Sequence, residues 1–480
     1  LIIITSMNET IPLPRPRKSF SNFDRLGFED FAVNLTSFIE TERDFVDEAL
    51  LISLHGKFGQ GKSTFFEMWK EYLVTERPPR FAVISLNAWE ADYDRDPLLA
   101  VVMGFVKHFE HEGQQEESEQ LRKIGGRVAK FSASIANQVV RALTKIDLLK
   151  AKEDSEEHET SILDRACFEE YADRQEGFRG LKILLREAVK QSPLPIIVMV
   201  DELDRCRPDY AVEYLETIKH IFDLDGLVFV LGVDRQSLSS SVRALFGESL
   251  KFDEYFRKFV HRNVNLPSFE GRSPENHIQY NQIKKFVRHL VSQYLVSDSL
   301  AAKGRYCYLS WNDDQLKRVT NLCLDLKMSP RQVHEAFRVM AHSLKVQEEK
   351  VGSMRTFWEV GAMFMASLSA SKTDLYHKIG QGRLNPQSLI EFLQDTPHLM
   401  DKNHSRLWWT SLIFLGATKL NESSIESLSK ILKAVSTEEE SGDDLESLKR
   451  FAGDFQMDFV ESPLLQEVYK VIESVRSFAS

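Results

Sequence analysis

Nine consecutive residues, Gly56, Lys57, Phe58, Gly59, Gln60, Gly61, Lys62, Ser63 and Thr64, constrain this 480-residue chain more than any other feature. They match Gly-x-x-x-x-Gly-Lys-[Ser/Thr] without a mismatch. The glycines let the backbone curl until successive N–H groups point inward, which suits phosphate oxygens. In such a loop Lys62 reaches the terminal phosphates and the Ser63 hydroxyl binds magnesium. The flanks decide whether the motif is more than a glycine-rich connection. Leu50–Leu54 reads as a buried strand, and Phe65, Trp69, Tyr72 and Leu73 give the following segment a helical inward face. The expectation is strand, loop, helix, with the positive end of the helix dipole added to an anion site.

A matching second half lies at Ile196–Glu202. An apolar run that ends in carboxylates places Asp201 at the carboxyl edge of a central strand, where it can hold magnesium directly or through water. Glu202 adjoins it and is the candidate general base for an attacking water, the alternative being a surface charge that ends a strand. Asp204 and Arg205 either extend this cluster or pair with each other. Asp234 ends the run Val228–Val233, so it either senses the γ-phosphate or caps the next helix. Arg257, Lys258 and Arg262 precede the last strand on a helix-like stretch. Any one of them is a candidate arginine-finger-type cation, on its own subunit or a neighbour's, or a solvated charge.

Five short apolar segments, Ala49–His55, Phe81–Leu86, Ile196–Val200, Leu227–Val233 and Val264–Leu266, are mostly separated by helical patterns. This is the signature of a parallel sheet covered on both faces, an α/β fold. Asp96 and Pro97 read as cap and first turn of a helix over Leu98–Phe109. Ala211, Leu215, Ile218 and Phe222 form a stripe, as do Phe31, Leu35, Phe38 and Ile39. The expected organisation is a flexible lead-in over 1–23, a nucleotide-binding core over 24–109 and 187–275, a helical insert over 110–186, a helical lid over 276–345 and an α-helical C-terminal domain over 346–480. The insert is charged at both ends and apolar over Val128–Leu149, where Lys130, Arg141 and Lys145 interrupt it. It reads as a helical subdomain facing a partner, or as a helix on a membrane surface. No segment reaches the roughly 18 uncharged apolar residues of a membrane span. Leu1–Thr5 is too short and lacks the basic flank of a secretory signal, and Leu1–Ser6 are assigned no role. A net charge of −11 argues against a chain-wide nucleic-acid surface. Cys167, Cys206, Cys307 and Cys323 have no Cys-x-x-Cys spacing, which suits a reducing cytoplasm better than a disulfide or zinc framework.

Taken in order, the blocks Asp24–Phe28, the phosphate loop, Asn87-Ala-Trp89-Glu90, Asp201–Cys206, Val233–Arg235 with Phe256–Pro267, and Ser329–Val333 resemble the KAP family of P-loop NTPases, an additional-strand class related to AAA+ and STAND ATPases. The resemblance spans about residues 24–345. It implies a five-stranded, mostly parallel sheet of order 5-1-4-3-2, ATP rather than GTP as nucleotide, and Arg331 in a Pro-Arg turn as a second sensor. It also implies a long insert that holds membrane spans in many members; here the insert is too charged to span. Phe58 stands where the family usually has tryptophan, and Glu202 where it usually has aspartate. Trp89 reads as sheet-edge packing. Asn87 is a capping amide or a contact to water on the nucleotide side. Three functions follow as expectations: an ATP-hydrolysing switch or assembly factor, a slow nucleotide-gated scaffold, or a nucleic-acid-stimulated motor. The first would act in a larger complex, as family members do in antiphage defence. No nuclease, deaminase or protease constellation is visible, so an effector would be a separate protein, and self-association is a further expectation.

Overall fold

The computed structural model describes residues 18–111, 178–267, 277–295, 311–346, 355–396 and 463–477, with isolated residues at 119 and between 412 and 431. The chain forms two compact units. The first comprises Phe28–Lys57 and Lys62–Leu266 together with residues up to Asp24; the second comprises Arg25–Gly27, Phe58–Gly61 and Pro267 onward.

The first unit is built on five strands: β1 (Leu50–His55), β2 (Ala82–Asn87), β3 (Ile196–Asp201), β4 (Leu227–Val233) and β5 (Arg262–Asn265). Their order is β2-β3-β4-β1-β5, the expected one read from the other edge, and all four neighbouring pairs are parallel. In register, His55 lies opposite Val233, and Asn87 opposite Asp201. The carboxyl ends of four strands therefore meet along one edge, where an open parallel sheet holds its ligand.

β1, β3 and β4 are buried along almost their whole length because side chains alternate between two covered faces. One set, including Leu51, Val198, Val200, Phe229 and Leu231, shares a core with the helices Pro97–His111 and Pro208–Ile221. There Phe105 stacks on Phe222, centroids 5.4 Å apart. On the helix after the loop, Lys62–Thr75, Phe65 and Trp69 stack at 5.5 Å, and Phe28 meets Phe65 edge-on. Trp69 Nε1 donates to Thr36 Oγ1, so the one polar atom of that indole is satisfied in the core.

Several expectations change in detail. The lead-in is ordered at its end: Phe20–Phe23 is a helical turn, and Phe20 is buried against Phe65 and Tyr72. The helix Glu29–Glu42 buries Ala32, Leu35, Thr36 and Ile39, but leaves Phe38 exposed, so the apolar stripe is narrower than the spacing suggests. Asp96 caps its helix through Leu99 N–H at 2.9 Å, as expected. Arg262 is not on a helix; it opens β5 and pairs with Glu42 at 2.5 Å. Of the insert 110–186, residues 112–118 and 120–177 lie outside the described residues, and 178–191 is helical. Cys167 and Cys307 also lie outside them; Cys206 and Cys323 are buried free thiols, each pushed up to about 12 by burial. No described helix is long and apolar enough to cross a membrane.

The second unit is helical. Its principal described helices are His277–Tyr294, Asp313–Asp325, Pro330–Val346, Arg355–Ser371, Thr373–Gly380, Pro386–Gln394 and Leu464–Ser477. Asn312 and Asn385 cap theirs through Gln315 N–H and Ser388 N–H. One buried cluster runs from Ile283 through Phe337 and Phe364 to Leu465, so the residues expected as a lid and those expected as a separate C-terminal domain share a core.

Candidate functional site

β1 ends at His55, and the chain turns at Gly56, whose N–H donates to Val233 O at 3.2 Å. Gly59 and Gly61 both take positive φ, 82° and 99°, which lets the loop curl before the helix begins at Lys62. Lys62 is buried although charged. Its Nζ donates to Gly56 O at 2.6 Å and lies 3.9 Å from Asp204 Oδ2. The ammonium is thus already folded back across the mouth of the loop, where a phosphate oxygen would meet it.

Ser63 follows on the same helix, and its hydroxyl acts on the Asp201 carboxylate at the end of β3, favouring the ionised acid. Burial pushes the Asp201 carboxyl upward, opposed by that hydroxyl and by the Glu202 N–H, which donates to Asp201 Oδ1 at 2.9 Å. A group raised by burial gains from a nearby cation, which favours its ionised form. Among the described residues no cluster of three or more His, Cys, Asp or Glu is placed to hold a metal. Magnesium does not need one: it keeps waters and takes phosphate oxygens, with one or two protein oxygens completing the set. Ser63 and Asp201 both carry hard oxygen donors, and they fit that requirement.

Glu202 sits with φ 63°, a left-handed conformation uncommon for a side chain larger than asparagine, and precedes a tight turn over Leu203–Arg205. Such strain concentrates at functional sites. The turn sorts the charges in a way the sequence left open. Asp204 faces Lys62, and Arg205 Nη2 pairs with Glu202 Oε1 at 2.7 Å. The Asp204 side chain is 6% exposed, and its Oδ1 has no hydrogen-bond partner among the described residues. Asn87, at the end of β2, donates from Nδ2 to Glu202 Oε2 at 3.3 Å while its Oδ1 caps the helix Ala88–Ala91. Of the two readings of Asn87 the capping amide is the one seen, and the same side chain also touches the candidate base, which neither reading named. Trp89 does not pack into the sheet edge as expected; it is 52% exposed, with the Arg205 guanidinium 5.6 Å from its ring centroid. For Asp204 and Asn87 the sequence offered alternatives and missed the partners, Lys62 for the one and Glu202 for the other. Their signal was adjacency to Asp201 and to the end of an apolar run, which is visible but not selective.

Asp234 is buried and caps the helix Arg235–Phe246, accepting from Gln236 N–H and Ser237 N–H. Its strand neighbours Gly56 across β1 and β4, so the cap stands beside the loop. Arg257 and Lys258 follow the short helix Phe252–Phe256 and are exposed. Lys258 Nζ lies 5.9 Å from the Tyr255 ring, and Arg257 makes no ion pair among the described residues. Neither is brought to the acidic pair. Lys57 is exposed and Thr64 half-buried on the loop and its helix.

Phe58, Gly59, Gln60 and Gly61 group with the second unit. There Ser329 and Gln332 form a capping box, Ser329 N–H donating to Gln332 Oε1 at 2.8 Å, with Pro330 at the first helical position. That start fixes Arg331. Its N–H donates to Gly59 O at 3.3 Å and its guanidinium lies 4.2 Å from the centroid of the half-exposed Phe58 ring.

A parallel sheet with a Gly-rich loop after β1 and an acid at the tip of β3 defines the class of P-loop NTPases. The family model described as the KAP family P-loop domain matches residues 28–346, and the chain belongs to this family. It is a nucleotide-binding P-loop protein of that group. No curated protein matches the chain. Among solved structures, the ORC2 protein of Aeropyrum pernix, in ADPNP–ADP complexes, is similar over 95% of this chain and 95% of its own, at 11% identity and a TM-score of 0.34, too low for comparison element by element.

Proposed function

We propose that this protein binds Mg-ATP and hydrolyses it to drive a conformational or assembly switch in a larger complex. The observation that carries the reading is the set of groups gathered at the loop: buried Lys62 held by Gly56 O and facing Asp204, and Asp201 at the tip of β3 with Glu202 after it. The loop amides and Lys62 bind the phosphates. Ser63 and Asp201 would hold magnesium, which would supply positive charge against the phosphates. Glu202 accepts a proton from the attacking water, and Asp234 stands where it can sense the terminal phosphate. Arg331, over the Phe58 ring, is the residue that the likeness to the family would make a second sensor. Arg257 and Lys258, exposed on the first unit, are left for the phosphate of a neighbouring copy, which would make self-association part of the reaction.

A direct test compares three proteins for binding of a fluorescent ATP analogue and for phosphate release. Lys62→Ala is expected to lose binding by at least about tenfold, or about 1.4 kcal/mol. Glu202→Gln is expected to bind as the parent does and to turn over at least about a hundredfold more slowly, the low end of general-base contributions. Tight binding by Lys62→Ala would remove the site; an unchanged rate in Glu202→Gln would remove the base. Thr144-Lys145-Ile146-Asp147 has the spacing of a guanine-reading segment, although it falls in the insert and outside the described residues. GTP is therefore run beside ATP.

A second reading, a slowly turning nucleotide-gated scaffold, is favoured by one observation: both Glu202 oxygens already have donors. A burst followed by a very slow steady state would support it. We place the protein beside an effector, in the manner of antiphage systems, on the strength of its likeness to the family. Purification of the complex from its native host, with its stoichiometry, tests this, and phosphate release with and without DNA or RNA tests the motor alternative.

A further inference from the structure

The Glu202 carboxylate is engaged on both oxygens. Oε1 pairs with Arg205 Nη2 at 2.7 Å, and Oε2 accepts from Asn87 Nδ2 at 3.3 Å. The arginine bond is shorter and joins opposite charges, so it dominates. The turn enforces it: with Glu202 left-handed and Leu203–Arg205 wound tightly after it, the side chain three residues on is brought back over the carboxylate. Lys62 is not available to Arg205's acid, since it is held by Gly56 O and faces Asp204. On its other side the guanidinium rests near Trp89, an exposed indole with no core function.

Resting on the assignment of Glu202 as the base, we infer that Arg205 is a positioning residue that holds Glu202 back from the attacking water, and that turnover requires this pair to open, with Trp89 as the surface that keeps the released arginine close. A carboxylate cannot both hold the guanidinium in a short ion pair and take up a proton from water, because protonation removes the charge that the pair depends on. The brake is small. Arg205 is one-third exposed and solvent screens the pair, so its release is worth about fivefold in rate, equivalent to about 1 kcal/mol.

The test measures steady-state Mg-ATP hydrolysis by the full chain in Arg205→Ala, Arg205→Lys, Glu202→Gln and the Arg205→Ala/Glu202→Gln double variant. Arg205→Ala is expected to raise kcat about fivefold with KM within about twofold of the parent. Arg205→Lys keeps the charge but loses the planar fork, and is expected to give a smaller rise. The double variant should be as slow as Glu202→Gln alone. Trp89 emission, taken as parent minus a Trp89→Phe protein, should shift in Arg205→Ala and on addition of Mg-ATP. If the parent turns over and Glu202→Gln does not, a kcat in Arg205→Ala that is unchanged or lower overturns the brake while the base stands. A rise that survives in the double variant overturns both, and so does the absence of turnover from parent and Arg205→Ala alike. Where Arg205→Ala does not fold, Arg205→Lys decides: no rise in kcat rejects the brake.

Discussion

Gly59 shows how much can rest on one hydrogen atom. Its φ of 82° is a conformation that side chains other than glycine adopt at a cost of about 1–2 kcal/mol. A Cβ there would also lie 2.8 Å from Arg331 Cβ, against a helix start that its capping box holds in place. Gly59→Ala is expected to lower stability by at least that amount, read as a lower midpoint in urea unfolding. Glu202 carries the opposite lesson, a residue that tolerates the left-handed region without being glycine. The motif told us that an acid should stand at 202. It did not tell us that the backbone would be strained there, because φ is set by the turn to Arg205, and local propensity does not encode it. Asp204 and Arg205 were likewise legible as charges and illegible as partners, since the sequence gives adjacency while the turn decides which side chain faces which.

At the scale of elements, the helix Arg235–Phe246 starts on Asp234, whose carboxylate accepts two backbone N–H groups. Asp234→Ala is expected to cost about 1 kcal/mol through loss of the cap. If the residue also senses phosphate, nucleotide affinity should fall further than Asp234→Ser, which keeps a capping oxygen, lowers it; equal affinities would leave Asp234 a cap alone. At the other end of the sheet, His261 Nδ1 accepts from Leu51 N–H at 3.0 Å and joins the approach to β5 to β1. That nitrogen must be unprotonated to accept. Burial holds the imidazole below its usual range, with Lys219 adding to the effect. The unfolded chain takes up a proton as pH falls through the ordinary histidine value, about 6.5, before the folded chain does. Stability is therefore expected to decline from there downward. Chemical denaturation between pH 7.5 and 5.5 should show a shallower decline in His261→Gln than in the parent. Such a contact joins residues 210 positions apart, and nothing in the local sequence announces it.

For the whole molecule, ligand binding and folding are linked. If Mg-ATP binds only the folded form, nucleotide at a hundred times its dissociation constant should add about 2.7 kcal/mol of stability. Thermal melting is expected to shift upward in the parent and to stay in place in Lys62→Ala; an equal shift in both would place the ligand elsewhere. The sequence by itself determined the parts that depend on short range: the nine-residue loop, the apolar runs of β1, β3 and β4, the acid that ends β3, and the caps at Asp96 and Asp234. Backbone curvature, alternation and capping are set by neighbours within a few residues, so they can be read along the chain. The strand order was legible as well, although only through the resemblance of whole blocks to a known family. Only the tertiary structure decided that Phe38 and Trp89 face outward, that Asn87 and Arg205 converge on Glu202, and that the helices His277–Tyr294, Asp313–Asp325 and Pro330–Val346 share their core with described helices that follow. Those outcomes depend on which distant segment arrives to cover a side chain or pair with a charge, and that is settled by packing across the fold rather than by the residues on either side.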